Sequence, residues 1–78
     1  MANLRPFDQK VFVKRFKQAC RETGLNQMEL ARKMKTSQGS ISRFLYGYSI
    51  PRVSILVSMA QALGVSTDWL LGLKNTKR

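Results

Sequence analysis

The stretch from Gln27 to Gly47, QMELARKMKTSQGSISRFLYG, most narrows what this chain can fold into. Leu30, Ala31 and Met34 recur at the spacing of a helix with one buried face, and Ile41, Phe44 and Leu45 do the same. Between the two runs the pattern breaks at Lys33–Ser37. The spacing therefore predicts two short helices, over about 27–34 and 37–46, joined by a tight turn. Ser37 suits the N-cap of the second, because its hydroxyl can accept an orphan backbone N–H. Asn26, with Glu29 three residues on, has the spacing of a capping box with Asn in place of Ser or Thr.

The opposite side of the second helix is polar. Gln38, Gly39, Ser42 and Arg43 face away from the apolar stripe, and none of them is acidic. A Gln amide can pair bidentately with adenine, and an Arg fork suits guanine or a phosphate. A helix pinned by its neighbour and carrying such residues near its N-terminus has the form that enters a DNA major groove.

The stretch resembles the helix-turn-helix of phage-repressor-like and Cro-like DNA-binding domains. Gln27 opens the first of the two helices, Ala31 follows four residues later and Ile41 fourteen later, and Gly47 closes the second helix. The resemblance extends through Pro51, LVSMAQALGVS (56–66) and TDWLLG (67–72), and back into a first helix ending at Gly24-Leu25-Asn26-Gln27, so it covers most of the chain. It implies an all-α, five-helix, lambda-repressor-like bundle with helices over about 8–23, 27–34, 37–46, 52–63 and 66–71.

Composition agrees with a single small domain. The chain has 78 residues, 44% of them hydrophobic, which is too apolar for a disordered chain. Fourteen Lys and Arg against four acids give a net charge of +10, a field that attracts DNA, RNA or an anionic membrane. There is no histidine, the acids are scattered at Asp8, Glu22, Glu29 and Asp68, and Cys20 is the lone cysteine. A Ser-His-Asp or Cys-His catalytic set is therefore impossible, no metal-ligand cluster is present, and no intramolecular disulfide can form. No catalytic residue, cofactor, metal, small-molecule ligand or membrane partner is expected. No apolar run approaches the roughly 20 residues of a membrane span. The N-terminus lacks the apolar core of a signal peptide, and the expected location is the cytoplasm of a bacterium, with the gene bacterial or phage-borne.

In chain order, residues 1–7 form an arm, with Arg5 and Pro6 either frayed or touching DNA backbone. Asp8 is placed to cap the first helix, and Phe7 and Phe12 have the spacing of a hydrophobic staple. Phe12, Phe16, Ala19 and Cys20 make its buried stripe, and Lys10, Lys14, Lys17 and Arg21 lie off it, solvated or in part reaching phosphate. Ile55, Leu56, Met59, Ala60 and Leu63 give the fourth helix a core face, and Ser66 caps the fifth.

The chain departs from the family pattern at three places. Related domains often pair an arginine at the position of Cys20 with a glutamate at that of Leu45, and here both charges are gone together. A lone buried charge costs several kcal/mol, so their joint loss leaves an apolar contact. Cys20 reads as a small core hydrophobe, with a redox switch as the alternative. Lys35 occupies a turn position where the family usually has glycine, at a cost of roughly 1 kcal/mol if φ is positive. Gly39 stands where a base-reading side chain is expected.

By resemblance, Ser37, Gln38, Gly39, Ser42 and Arg43 are the candidate base contacts. Gln27, Lys35, Ser40, Tyr48, Ser49 and Arg52 are the candidate backbone contacts, with Gln27 also buttressing Gln38. Trp69, Leu71 and Leu73 are assigned to a dimer interface, since the short last helix has more apolar residues than its own domain can cover; Trp69 and Leu70 can also close the core. The domain is expected over 8–73, with a disordered basic tail over 74–78. The function expected is that of a homodimeric transcriptional regulator, a phage- or plasmid-type repressor or Cro-like factor on a palindromic double-stranded operator. The alternative is a protein-binding module, an antitoxin or regulator antagonist, on the same scaffold. A minimal repressor and the N-terminal domain of a longer one remain equally open.

Overall fold

The computed structural model describes residues 6–78, so the Arg5 part of the expected arm lies outside the described residues. Five helices follow in order: α1 (Gln9–Thr23), α2 (Gln27–Lys33), α3 (Gln38–Leu45), α4 (Val53–Leu63) and α5 (Thr67–Leu70). Each falls inside its expected span, and the residues trimmed from the ends are mostly caps. No strand occurs among the described residues.

Local chemistry sets each start. The Asp8 carboxylate accepts the Lys10 N–H at 2.9 Å, and the Phe7 and Phe12 rings lie 6.4 Å apart across this cap, as a staple requires. Asn26 accepts the Glu29 N–H at 2.8 Å while the Glu29 carboxylate accepts the Asn26 N–H at 3.0 Å, which completes the capping box. Ser37 and Ser66 cap α3 and α5 through Ser40 N–H and Trp69 N–H. Only α4 begins without a side-chain cap, behind Pro51 and Arg52.

The ends share another device. In α2, α3, α4 and α5 the chain closes with the paired 6→1 and 5→2 bonds of a Schellman motif, for example Thr36 N–H to Ala31 O at 2.9 Å with Lys35 N–H to Arg32 O at 3.3 Å. Glycine takes the left-handed position at Gly47, Gly64 and Gly72; in α2 that position is Lys35, at φ 59°. Lys35 is the one non-glycine residue with positive φ among those described. An L side chain there costs about 1 kcal/mol. Lys35→Gly is accordingly expected to stabilise the fold by about 1 kcal/mol, a rise of roughly 4–8 °C in Tm for a domain of this size. A thermal melt that fails to rise would mean that the turn carries no strain.

The core forms where the five apolar faces converge. Phe12 and Phe16 stack at 5.7 Å, and Phe16 meets Phe44 edge-on at 6.4 Å. Leu30 and Ala31 close it from α2 and Met34 from the C-cap that follows, Ile41 from α3, Met59 and Ala60 from α4, and Trp69 and Leu70 from α5. No polar or charged side chain is buried among the described residues. Cys20 is buried as expected, and burial pushes its thiol up to about 12. Nucleophilic chemistry at sulfur needs the thiolate, so at neutral pH this group behaves as packing material.

Three expectations need correction. Ile55, Leu56 and Leu63 are half-buried and pack on the rim of the core, because α4 lies at its edge. Trp69 is 4% exposed and so cannot serve as a surface contact: α1 covers it, with the Arg15 guanidinium 5.2 Å from its ring centre. The tail 74–78, expected to be disordered, folds back across α1 and α5. Arg15 Nη1 donates to Trp69 O at 2.6 Å and to Lys74 O at 2.7 Å, and Ser66 N–H donates to Lys77 O at 2.6 Å. The Lys77 ammonium sits 2.8 Å from Glu22 and 5.7 Å from the Trp69 ring centre. Five polar residues gain order here because backbone carbonyls, a guanidinium and an indole face supply partners that the tail alone lacks. Hydrogen bonding from Lys77, then from Gln18, holds the Glu22 carboxyl below its ordinary value. The pair's small contribution is therefore present above the ordinary carboxylate range and lost as pH falls through the lowered value.

Candidate nucleic-acid interface

α2 and α3 meet through Ala31, Met34 and Ile41, and this packing decides which side of α3 faces outward. Ile41 and Phe44 point into the core, so Gln38, Gly39 and Arg43 are exposed and Ser42 is half-buried at the margin. The Ser37 hydroxyl is engaged within the helix cap. It accepts the Ser40 N–H at 3.1 Å and donates to the Ser40 hydroxyl at 2.9 Å. Of the five candidate base contacts, Gln38 and Arg43 thus combine exposure with uncommitted donors, whereas Ser37 has already spent its hydroxyl on the cap.

Gly39 borders open space. A Cβ built there meets nothing closer than the Ser37 hydroxyl at 3.9 Å. Gly39→Ala is expected to stabilise the protein by about 0.5–1 kcal/mol, because glycine in a helix carries an entropic cost that alanine lacks. If DNA affinity falls while the melting temperature rises, α3 approaches its ligand closely at this point; unchanged affinity removes that role for Gly39.

The candidate backbone contacts flank α3. Gln27 is half-buried at the start of α2, and Lys35 is exposed in the turn before α3. Past α3, Gly47 turns the chain at φ 76°, Tyr48 is 77% exposed and Arg52 is exposed. Tyr46, 65% exposed, lies with its ring 6.2 Å from that of Tyr48. The turn is anchored to α1 by a hydrogen bond from the Gln9 amide to Gly47 O at 2.9 Å. Among the described residues the only ion pair is Lys77–Glu22, so Lys35, Arg43 and Arg52 keep their charge unneutralised.

Sequence reasoning missed three features. Arg15 carries no role in the sequence pattern, yet it bridges two carbonyls and covers Trp69. The Gln9–Gly47 bond spans 38 positions and leaves no sequence signal. Ile50, Val53 and Val57 are 54%, 77% and 43% exposed, an apolar strip on and before a helix that contains no charged residue. Their i, i+3, i+7 spacing was legible, but it was hidden beside the stronger core face of α4.

A helix-turn-helix family model matches residues 16–70. The chain belongs to that family. Its form is the phage-repressor-like, Cro/C1 type, and its fold is the lambda-repressor-like bundle. The chain is similar to the HTH-type transcriptional regulator ImmR of Bacillus subtilis (strain 168), with 34% identity over 59 residues. The match covers 76% of this chain and 46% of that regulator, so the chain spans about half the length of the relative it matches. The matched family segment runs from Phe16 to Leu70, and therefore includes α2, α3 and every candidate contact except Leu71 and Leu73. No helix among the described residues is long and apolar enough to cross a membrane.

Proposed function

We propose that the protein is a sequence-specific, double-stranded DNA-binding transcriptional regulator of the repressor or Cro-like kind, acting as a homodimer on a palindromic operator in a bacterial cytoplasm. The observation that carries this reading is the outer face of α3. In a chain of this family, that face exposes Gln38 and Arg43 to solvent, and among the described residues no acid pairs with the guanidinium. Gln38 and Arg43 read base edges. Gln27, Lys35, Ser40, Tyr48, Ser49 and Arg52 set the register on the phosphates. A protein-docking face would instead carry aromatic or aliphatic anchors.

Selection of duplexes from a random pool tests the proposal. The expected product is an inverted repeat whose half-sites lie about 34 Å apart, one helical turn. A pool that stays random after repeated rounds would end the operator reading and leave only general affinity for polyanions.

The dimer contact is proposed at Leu71 and Leu73. Leu73 is 60% exposed and, with the half-buried Leu71, borders a groove shared with Phe7 and Val11 at the start of α1. Leu73→Lys is expected to shift the protein to monomer in sedimentation and to weaken operator binding, with the melt of the monomer little changed. Val53→Lys, on the other apolar strip, serves as the comparison. If it dissociates the dimer and Leu73→Lys does not, the contact lies on α4.

A further inference from the structure

We propose that the outer face of α1 is a second phosphate-binding surface, formed by Lys10, Lys14, Lys17 and Arg21, which grips the sugar–phosphate backbone of duplex flanking the operator half-site. The proposal rests on the DNA-binding reading above and extends it to a helix outside the helix-turn-helix.

Steps of four, three and four residues put the four cations on one face of α1, opposite Phe12, Phe16 and Ala19. All four side chains are exposed. Like charges at these spacings repel and weaken a helix, and no acid relieves them. Asp8 caps α1 through Lys10 N–H, and Glu22 is held by Lys77. The face is an unneutralised rail about 16 Å long at 1.5 Å per residue. That matches the backbone of roughly five base pairs at 3.4 Å each.

Lys10, Lys14 and Lys17 wall a groove of about 590 Å³ whose far side is Tyr46 and Gly47, in the turn that follows α3. Lys17 and Arg21 wall the next hollow, together with Gln27 at the start of α2 and again Tyr46. The rail is therefore continuous with both segments proposed to hold phosphates on either side of α3. The Gln9 amide, bonded to Gly47 O at 2.9 Å, ties α1 to that turn, so the helix that carries the cations is set beside α3. A strand leaving the half-site past Tyr46 meets these cations next. Scattered solvated lysines would need neither the common face nor the continuity with Gln27 and Tyr46.

The test uses the full chain and a triple variant, Lys10→Gln, Lys14→Gln and Lys17→Gln, whose exposed positions leave the core untouched. Each protein is titrated with the selected duplex in two lengths, trimmed to the inverted repeat or extended by five base pairs at each end, over a series of salt concentrations. The wild type is expected to bind the extended duplex about tenfold more tightly than the trimmed one. The variant is expected to lose that length dependence, with a salt slope smaller by about 0.9 for each phosphate released. Its ranking of selected over scrambled duplexes is expected to stay the same. A variant that keeps both the length dependence and the salt slope overturns the α1 proposal while leaving the operator reading intact. A wild type that fails to rank selected over scrambled duplexes overturns the operator reading itself. Loss of binding to phosphatidylserine vesicles, with unchanged DNA titrations, would assign the rail to a membrane surface and likewise overturn the proposal.

Discussion

Gln38→Ala is expected to erase base preference at one position of each half-site, and Arg43→Ala to do so at another, each at a cost of about 1–3 kcal/mol. That corresponds to roughly a 5- to 150-fold loss against the preferred sequence. The expectation follows from what each side chain has left to offer. Both are exposed on α3, and among the described residues no side-chain hydrogen bond engages either. The amide of Gln38 can meet the paired donor and acceptor of adenine, and the fork of Arg43 the two acceptors of guanine. Neither supports the core, so the melting temperatures should stay close to wild type, within the ±0.5 kcal/mol usual for surface changes. Titration of every single-base variant of the selected site measures the effect. A flat profile for the affected position marks a base contact, whereas an equal loss on all sequences, with a shallower salt slope, would move that residue to the phosphates. Ser37 is expected to behave differently. Its hydroxyl caps α3, so Ser37→Ala should cost about 1 kcal/mol of stability before it changes any base preference.

Much of the scaffold was legible because its signals are local. The capping box at Asn26–Glu29, the staple at Phe7–Phe12 and the caps at Asp8, Ser37 and Ser66 depend on residues at most five apart. The positive φ of Lys35 was legible too, since it follows from where a helix of this family must turn. The polar face of α3 was readable for the same reason: periodicity says which residues cannot be inside.

Most of what escaped the sequence was long-range and polar. Gln9 finds Gly47, and Arg15 finds Trp69 and Lys74, only after the helices have packed. The tail looked disordered because nothing in Lys74–Arg78 is apolar enough to dock. Its order comes from partners that other segments supply. The same omission leaves Trp69 readable either as a surface contact or as part of the core, and the structure puts it in the core. A four-residue helix with so many apolar side chains looks uncoverable until α1 and the returning tail are included as its cover.

Arg15→Ala is expected to cost about 2–4 kcal/mol of stability, a large share of the roughly 5–15 kcal/mol that a domain possesses. Three losses combine. The charged donor leaves Trp69 O and Lys74 O without their partner, and hydrogen bonds to charged groups contribute about 1.5–3 kcal/mol each, with incomplete additivity at one guanidinium. The aliphatic stem and the cation no longer cover the Trp69 ring. The tail loses its link at Lys74, which in turn loosens Lys77 from Glu22 and Ser66. At about 4–8 °C per kcal/mol, a fall in Tm of roughly 8–32 °C should follow. Arg15→Lys keeps the charge and part of the stem without the planar guanidinium, and should recover less than half of the loss. Lys14→Ala, one residue away and exposed, should stay near wild type and shows what an ordinary surface lysine contributes. Trp69 fluorescence reports the same event directly: its emission should shift to longer wavelength in Arg15→Ala at temperatures where the far-UV signal of the helices persists. If Arg15→Ala instead melts within a few degrees of wild type, with Trp69 still shielded, then α1 and α5 hold together by apolar packing alone. The guanidinium would then be a passenger at the surface of an already closed core.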